Sequence, residues 1–289
     1  MIYVDEIWFL SGDRKERLME ILELQKIANE VRKGIVTSTH SAKAGHPGGS
    51  LSAADILTYL YFEEMNVNPQ DDKNPDRDRF VLSKGHAAPA LYSVLAQRGY
   101  FPVEELVTLR HIGSQLQGHP CIGIPGVDMS TGSLGQGLSA ANGMALASKL
   151  DSKGYRVYAL LGDGEIQEGQ IWEAAMTSCH YKLDNLCVIV DNNNLQIDGS
   201  VDNVMNVYPI DEKFRSFGFE VFTVDGNNID ELITIFEKAK TVKGKPTAIV
   251  AKTIKGKGVS YMENQAGWHG KAPKEDEYKT AMEDLNKIV

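Results

Sequence analysis

The chain has 289 residues, 42% hydrophobic and 24% charged, the proportions of a folded globular protein rather than a disordered or fibrous one. Its formal net charge of −9 argues against broad electrostatic capture of nucleic acid or acidic membranes, so an anionic ligand needs a local device: backbone N–H groups, a metal or histidines. No apolar run approaches the ~20 residues of a membrane span, and the start of the chain, with Asp5 and Glu6, lacks the basic-then-apolar pattern of a secretory signal, so a cytoplasmic location is expected.

In chain order, residues 14–43 read as a helix, with Leu18, Ile21, Leu22, Leu24, Ile27, Ala28 and Val31 recurring at three- and four-residue spacing among charges. Gly45, Pro47, Gly48 and Gly49 are read as a break, after which a second helix is expected over 52–64 with Ser52 as its cap. A polar, turn-rich loop through Asn68 and Pro75 leads to a short buried strand over 79–83 and a helix over 87–99. An irregular Gly/Pro-rich stretch over 112–137 precedes an Ala-rich helix over 138–150. The runs 157–161 and 186–190 are continuously apolar and bounded by turn signals, which suits interior strands of a parallel sheet; 219–224 and 247–253 are two more. Helical patterns at 170–180, 211–217 and 229–240 alternate with them, and this alternation predicts an α/β, doubly wound, mostly parallel sheet with helices on both faces. The mixed-charge tail over 271–287 reads as a solvated amphipathic end, and no interdomain linker or repeat breaks the pattern, so one domain over 1–289 is expected.

The sharpest local feature is Gly162-Asp163-Gly164, directly after the apolar run ending at Leu161. In open α/β sheets ligands collect at the carboxyl ends of strands, where Asp163 could reach a cation and the glycines let backbone approach; an ordinary strand-ending turn has the same composition. The next strand ends in Asp191, Asn192, Asn193 and Asn194, so hard oxygen ligands stand on two neighbouring loops. Mg²⁺ takes octahedral oxygen ligation from one or two carboxylates plus phosphate oxygens. Asp163, Asn193 and the Leu195 carbonyl would leave room for two phosphate oxygens and a water. Cys121, Cys179 and Cys187, an odd number without CxxC spacing, make neither a disulfide framework nor a zinc site. The loop Thr253 to Gly258 lacks the spacing of a nucleotide-binding P-loop.

Gly162-Asp163-Gly164 with the Asn192-Asn193 pair about thirty residues on resembles the motif of thiamine-diphosphate enzymes. Ala44-Gly45-His46-Pro47-Gly48, Ser83-Lys84-Gly85-His86-Ala87, Gln117-Gly118-His119-Pro120 and Trp268-His269-Gly270 resemble, in order and spacing, the transketolase family, as does Ser130 to Gly137, where Ser133 stands in place of the proline of many members. The resemblance runs from about residue 14 to residue 270.

It implies thiamine diphosphate and Mg²⁺ (Ca²⁺ or Mn²⁺ as alternatives), with Asp163, Asn193 and the Leu195 carbonyl on the metal. His86, Gly132, Ser133, Leu134, Gly164, Asn193 and His269 would line the cofactor, and His46, His119 and His269 would face the sugar. Glu168 matches a family acidic residue; a favourable carboxylate near a helix N-terminus accounts for it at least as well as direct catalysis. The family's activating glutamate belongs to a pyrimidine-binding domain not matched here. The resemblance therefore implies a partner chain carrying that domain, an α₂β₂ complex, and transfer of a two-carbon ketol unit between sugar phosphates. An α-subunit of a 2-oxoacid dehydrogenase shares the metal motif but leaves the Gly-His-Pro histidines unexplained; a non-catalytic thiamine-diphosphate-binding relative is the third reading.

Overall fold

Helix α1 (Gly12–Ala42) buries Leu24, Ala28, Val31 and Ile35, one stripe at helical spacing, against later helices. The structure is a computed structural model describing residues 12–288; Asp5 and Glu6, and the side chain of Leu18, lie outside the described residues. Among the described residues no helix is long and apolar enough to cross a membrane.

The expected break at the Gly-His-Pro-Gly-Gly segment is shorter than its composition suggests, because only residues 43–46 leave the helix. Pro47 opens helix α2 (Pro47–Leu51), where its missing N–H costs nothing. A side chain on Gly48 would come within 2.8 Å of the Trp268 carbonyl oxygen, so the glycine serves close packing. The helix expected over 52–64 is present with its start two residues later: α3 (Ala54–Tyr59) runs on into a π-helical turn over Leu60–Glu64. Ser52 does not cap it. Its hydroxyl donates instead to Asp191 Oδ2 at 2.6 Å, because the fold brings a buried carboxylate above it.

Strand β1 (Arg79–Leu82) leads to α4 (Ala88–Arg98), which Gly99 ends in the left-handed conformation. Then come α5 (Gln136–Leu150), β2 (Val157–Gly162), α6 (Gly169–His180) and β3 (Leu186–Asn192). A small hairpin of β4 (Leu195–Gln196) and β5 (Gly199–Ser200) and a short helix α7 (Val201–Val204) follow β3. The chain continues through α8 (Ile210–Phe217), β6 (Glu220–Asp225), α9 (Ile229–Thr241), β7 (Thr247–Lys252) and α10 (Glu275–Leu285).

The main sheet has the order β1-β2-β3-β7-β6, every neighbouring pair parallel. Its central strands are buried on both faces, which is why they read as unbroken apolar runs. Alternate residues serve two cores. Tyr158, Leu160, Cys187 and Ile189 join α1, α3, α4, α9 and α10 on one face, while Val157, Ala159, Val188 and Val190 join α5, α6 and α8 on the other. The doubly wound α/β expectation is met.

The tail expectation is overturned. Helix α10 packs on α1, with Ala281 and Leu285 fully buried and Asn29 Nδ2 donating to the Leu285 carbonyl at 2.8 Å. Burying one leucine stabilises by about 1.5–3 kcal/mol, enough to dock a helix whose other faces are charged.

Candidate functional site

The carboxyl ends of β1, β2, β3 and β7 open into one cavity of about 350 Å³. Chain reversal around the sheet centre makes this the crevice where such folds hold ligands. The sequence-derived residues His46, His86, Gly132, Leu134, Asp163, Gly164, Asn193, Leu195 and His269 all line it. His119 and Ser133 do not; they border an adjoining groove that shares Gly132 with the cavity. The His119 ring packs against Gly132, where a side chain would meet it at 3.4 Å.

One wall is acidic. Asp163 follows β2 and is buried, with Oδ1 accepting the Gly164 N–H at 2.8 Å and Oδ2 the Asn194 N–H at 2.5 Å. Burial first, then the neighbouring Asp191 charge, push its carboxyl up to about 7. Asn194 adopts φ 58, a conformation asparagine tolerates, and thereby aims its N–H at Asp163. Asn193 Oδ1 accepts the Leu195 N–H at 3.2 Å. Asp198 stands at the rim.

The facing wall is basic. The rings of His46, His86 and His269 form a triangle with centroid separations of 5.3, 5.5 and 5.0 Å. Burial and nearby positive charge lower all three: His269 falls to about 3, and His86 well below the ordinary imidazole value. Neutral rings keep one donor and one acceptor nitrogen each. Lys255, on the loop after β7, donates to the Leu195 carbonyl at 3.0 Å and stands 3.0 Å from His269 Nδ1. Burial, together with Lys84, lowers its ammonium to about 8. Lys84 is buried under the cavity and paired with Asp191, which also takes Ser52 and Thr253 hydroxyls. Burial raises the Asp191 carboxyl, but Lys84 and these hydrogen bonds outweigh it and hold it below the usual range.

Sequence reasoning assigned no role to Lys84, Gln196 and Lys255, and it counted Asp191 among the oxygen ligands, whereas the structure buries that carboxylate against Lys84 and off the cavity wall. The Lys-Gly-Lys-Gly loop, set aside because it lacks P-loop spacing, nonetheless delivers Lys255; Gly256 there bonds its N–H to the Gly48 carbonyl at 3.0 Å. Glu165 is a further omission, accepting from Ser83 and from the Gly135 and Gly162 N–H groups, which ties the 132–135 loop to the strand ends. Glu168 opens α6 without making a side-chain cap and lines the exposed rim.

The donor set fits a divalent cation with a phosphate group. Among the described residues no three His, Cys, Asp or Glu side chains converge as a metal cage, so a cation here would rely on Asp163, the Asn193 amide and the Leu195 carbonyl, and would need further oxygens from its ligand. Gln196 lines the cavity, and its buried Nε2 has no acceptor, so it has a donor to spare for an anionic oxygen. A cation beside Asp163 would remove the strain of its burial.

The family model described as "Transketolase, thiamine diphosphate binding domain" matches residues 24–286. The chain is 44% identical over 271 residues to an apulose-4-phosphate transketolase subunit of Phocaeicola vulgatus, covering 94% of this chain and 96% of the relative. It is 45% identical over 267 residues to the 6-deoxy-6-sulfo-D-fructose transketolase subunit SqwG of a Clostridium species, covering 92% and 97%. The crystal structure of a transketolase from Campylobacter jejuni superposes with a TM-score of 0.86 at 36% identity; it is matched over 91% of this chain and 42% of its own length. This chain therefore spans less than half of that solved protein.

Proposed function

The chain belongs to the transketolase family, and from that premise we propose that it is the diphosphate- and metal-binding subunit of a two-chain transketolase, transferring a two-carbon ketol unit from a ketose phosphate to an aldose phosphate. The observation that carries this reading is one cavity lined by a carboxylate–amide–carbonyl set and by three histidine rings packed together. Two relatives named as transketolase subunits match across nearly their full length, which supports a division of the enzyme between chains.

Asp163, Asn193 and the Leu195 carbonyl would hold Mg²⁺, or Ca²⁺ or Mn²⁺ in its place. Thiamine diphosphate supplies, when bound, the electron sink that lets a ketose carbon–carbon bond break. Gln196, Lys255 and His86, which line the cavity, would donate to its phosphate oxygens, and Leu134 and Gly164 would line its site. His46 and His269 would hydrogen-bond the sugar and pass protons at its reacting oxygens, and His119, in the neighbouring groove, would join them. Glu168 faces the open rim, where a partner would approach. Leu150 on α5 and Met176 on α6 are exposed apolar side chains, which a chain carrying the pyrimidine-binding domain would cover in an α₂β₂ assembly. The reading takes residues 1–289 as one functional domain, places it in the cytoplasm and needs no nucleic acid or membrane.

The test is to assay ketol transfer and sedimentation on the purified chain with thiamine diphosphate and Mg²⁺, with and without a partner bearing the pyrimidine-binding domain. Activity and a larger complex are expected only with the partner. Full activity from the chain alone would overturn the two-chain reading.

A further inference from the structure

We infer that Asp191 is a positioning residue for Asn193: its carboxylate takes the amide N–H of Asn193 and so turns the amide oxygen toward the cavity, where a divalent cation would meet it. The inference rests on the metal reading above.

Asp191 lies within β3 near its carboxyl end, is fully buried and does not itself line the cavity. Any effect on a ligand there must pass through a neighbour. Its Oδ2 accepts from Lys84 Nζ, from Ser52 Oγ at 2.6 Å and from Asn193 Nδ2 at 3.3 Å, while Oδ1 accepts from Thr253 Oγ1. These donors come from the end of β1, the junction of α2 and α3, and the loop after β7, so the carboxylate is held from several directions at once.

An asparagine amide has almost the same shape with its oxygen and nitrogen exchanged, so only its partners choose between the two orientations. An ionised carboxylate paired with a lysine has no proton to give. It can face only the nitrogen, since the flipped amide would set oxygen against oxygen. The other end agrees: Asn193 Oδ1 accepts the Leu195 N–H at 3.2 Å, a bond the flipped nitrogen could not make. Flipping would therefore lose two hydrogen bonds and present a positive N–H edge to the cation. Loss of partners of this kind, standing behind a ligand, typically costs about ten- to hundredfold in metal affinity.

The test follows Mn²⁺ binding to the full chain with thiamine diphosphate, read from the electron paramagnetic resonance of free Mn²⁺. Native chain, Asp191→Asn, Asn193→Asp and the double variant form a cycle, with Asp163→Ala beside them. Asp191→Asn is expected to weaken Mn²⁺ binding about tenfold to hundredfold. In the Asn193→Asp background the same change should alter affinity less than about twofold, because a carboxylate at 193 has no orientation to set. Equal losses in both backgrounds would overturn the inference, since a general structural role moves both alike. Native-like Mn²⁺ binding by Asp163→Ala would instead overturn the metal reading, a separate result. Should Asp191→Asn not fold, the native chain decides by NMR: the Asn193 side-chain amide protons, identified by their loss in Asn193→Asp, are expected to exchange far more slowly than those of a free asparagine, and exchange at the free rate overturns the proposal.

Discussion

The ammonium of Lys255 stands 3.0 Å from the carbonyl oxygen of Leu195, the same oxygen that the metal motif would turn toward a divalent cation. A lysine and a doubly charged ion cannot share that oxygen comfortably, so cation arrival should release Lys255 toward the anionic ligand that accompanies it. Replacing Lys255 by Met is expected to weaken thiamine diphosphate binding about tenfold or more, the worth of a charged hydrogen bond of about 1.5–3 kcal/mol. Mg²⁺ affinity measured alone should hold or rise. Paired calorimetric titrations check this, and undiminished diphosphate affinity would remove Lys255 from the anion site.

Asp163 makes a prediction in two directions. Its folded carboxyl is raised to about 7, well above the unfolded value, so the folded chain binds this proton more tightly than the unfolded one. Its contribution to stability is full at low pH and is lost as the pH rises toward and past 7. Ligand-free Asp163→Asn should therefore melt above the native chain at pH 8, yet lose metal-dependent cofactor binding. A variant that still titrates normally with Mg²⁺ and thiamine diphosphate would refute the ligand assignment.

His86 and His119 should separate kinetically. His86 is held inside the cavity, while His119 sits exposed in the adjoining groove. In the reconstituted two-chain enzyme His119→Ala is expected to raise the donor's KM or lower kcat, with little change in cofactor affinity, and His86→Ala to do the reverse. Normal steady-state kinetics for His119→Ala would exclude it from the site.

The histidine triangle sets an opposite pH trend. His46, His86 and His269 all have folded values below 6.5, so the unfolded chain takes up protons that the folded chain refuses. Stability of the ligand-free chain should fall as the pH drops below about 6.5. Urea midpoints at pH 7.5 and pH 5.5 measure the slope, and His269→Gln should flatten it; an unchanged slope in that variant would show that His269 is not held neutral.

The parts of the fold that were legible are those where a local pattern mirrors an environment. Val157 to Leu161 and Leu186 to Val190 are apolar throughout because both sheet faces are covered, and the glycine, aspartate and asparagine after them mark loops at the carboxyl edge. The illegible parts depend on partners distant in the chain. Lys84 and Asp191 meet across 107 positions, and Lys255 reaches Leu195 across 60, so neither pairing leaves a spacing to read. Pro47, Gly48 and Gly49 resemble a breaker unless one knows that the Trp268 carbonyl lies against Gly48. In α10 two buried positions, Ala281 and Leu285, are outnumbered by charges, and only contact with α1 reveals their purpose.

The bond from the Gly256 N–H to the Gly48 carbonyl joins the helix that follows His46 to the loop carrying Lys255, so segments from near the two ends of the chain share one wall of the cavity. A ligand gripped there would be fastened to both segments at once. Its binding should act as a staple on global unfolding rather than on a single flap, slowing amide hydrogen exchange in α1 and α10 as much as in the loops it touches. Saturation with cofactor would then be recorded throughout the protein, including helices that never approach it.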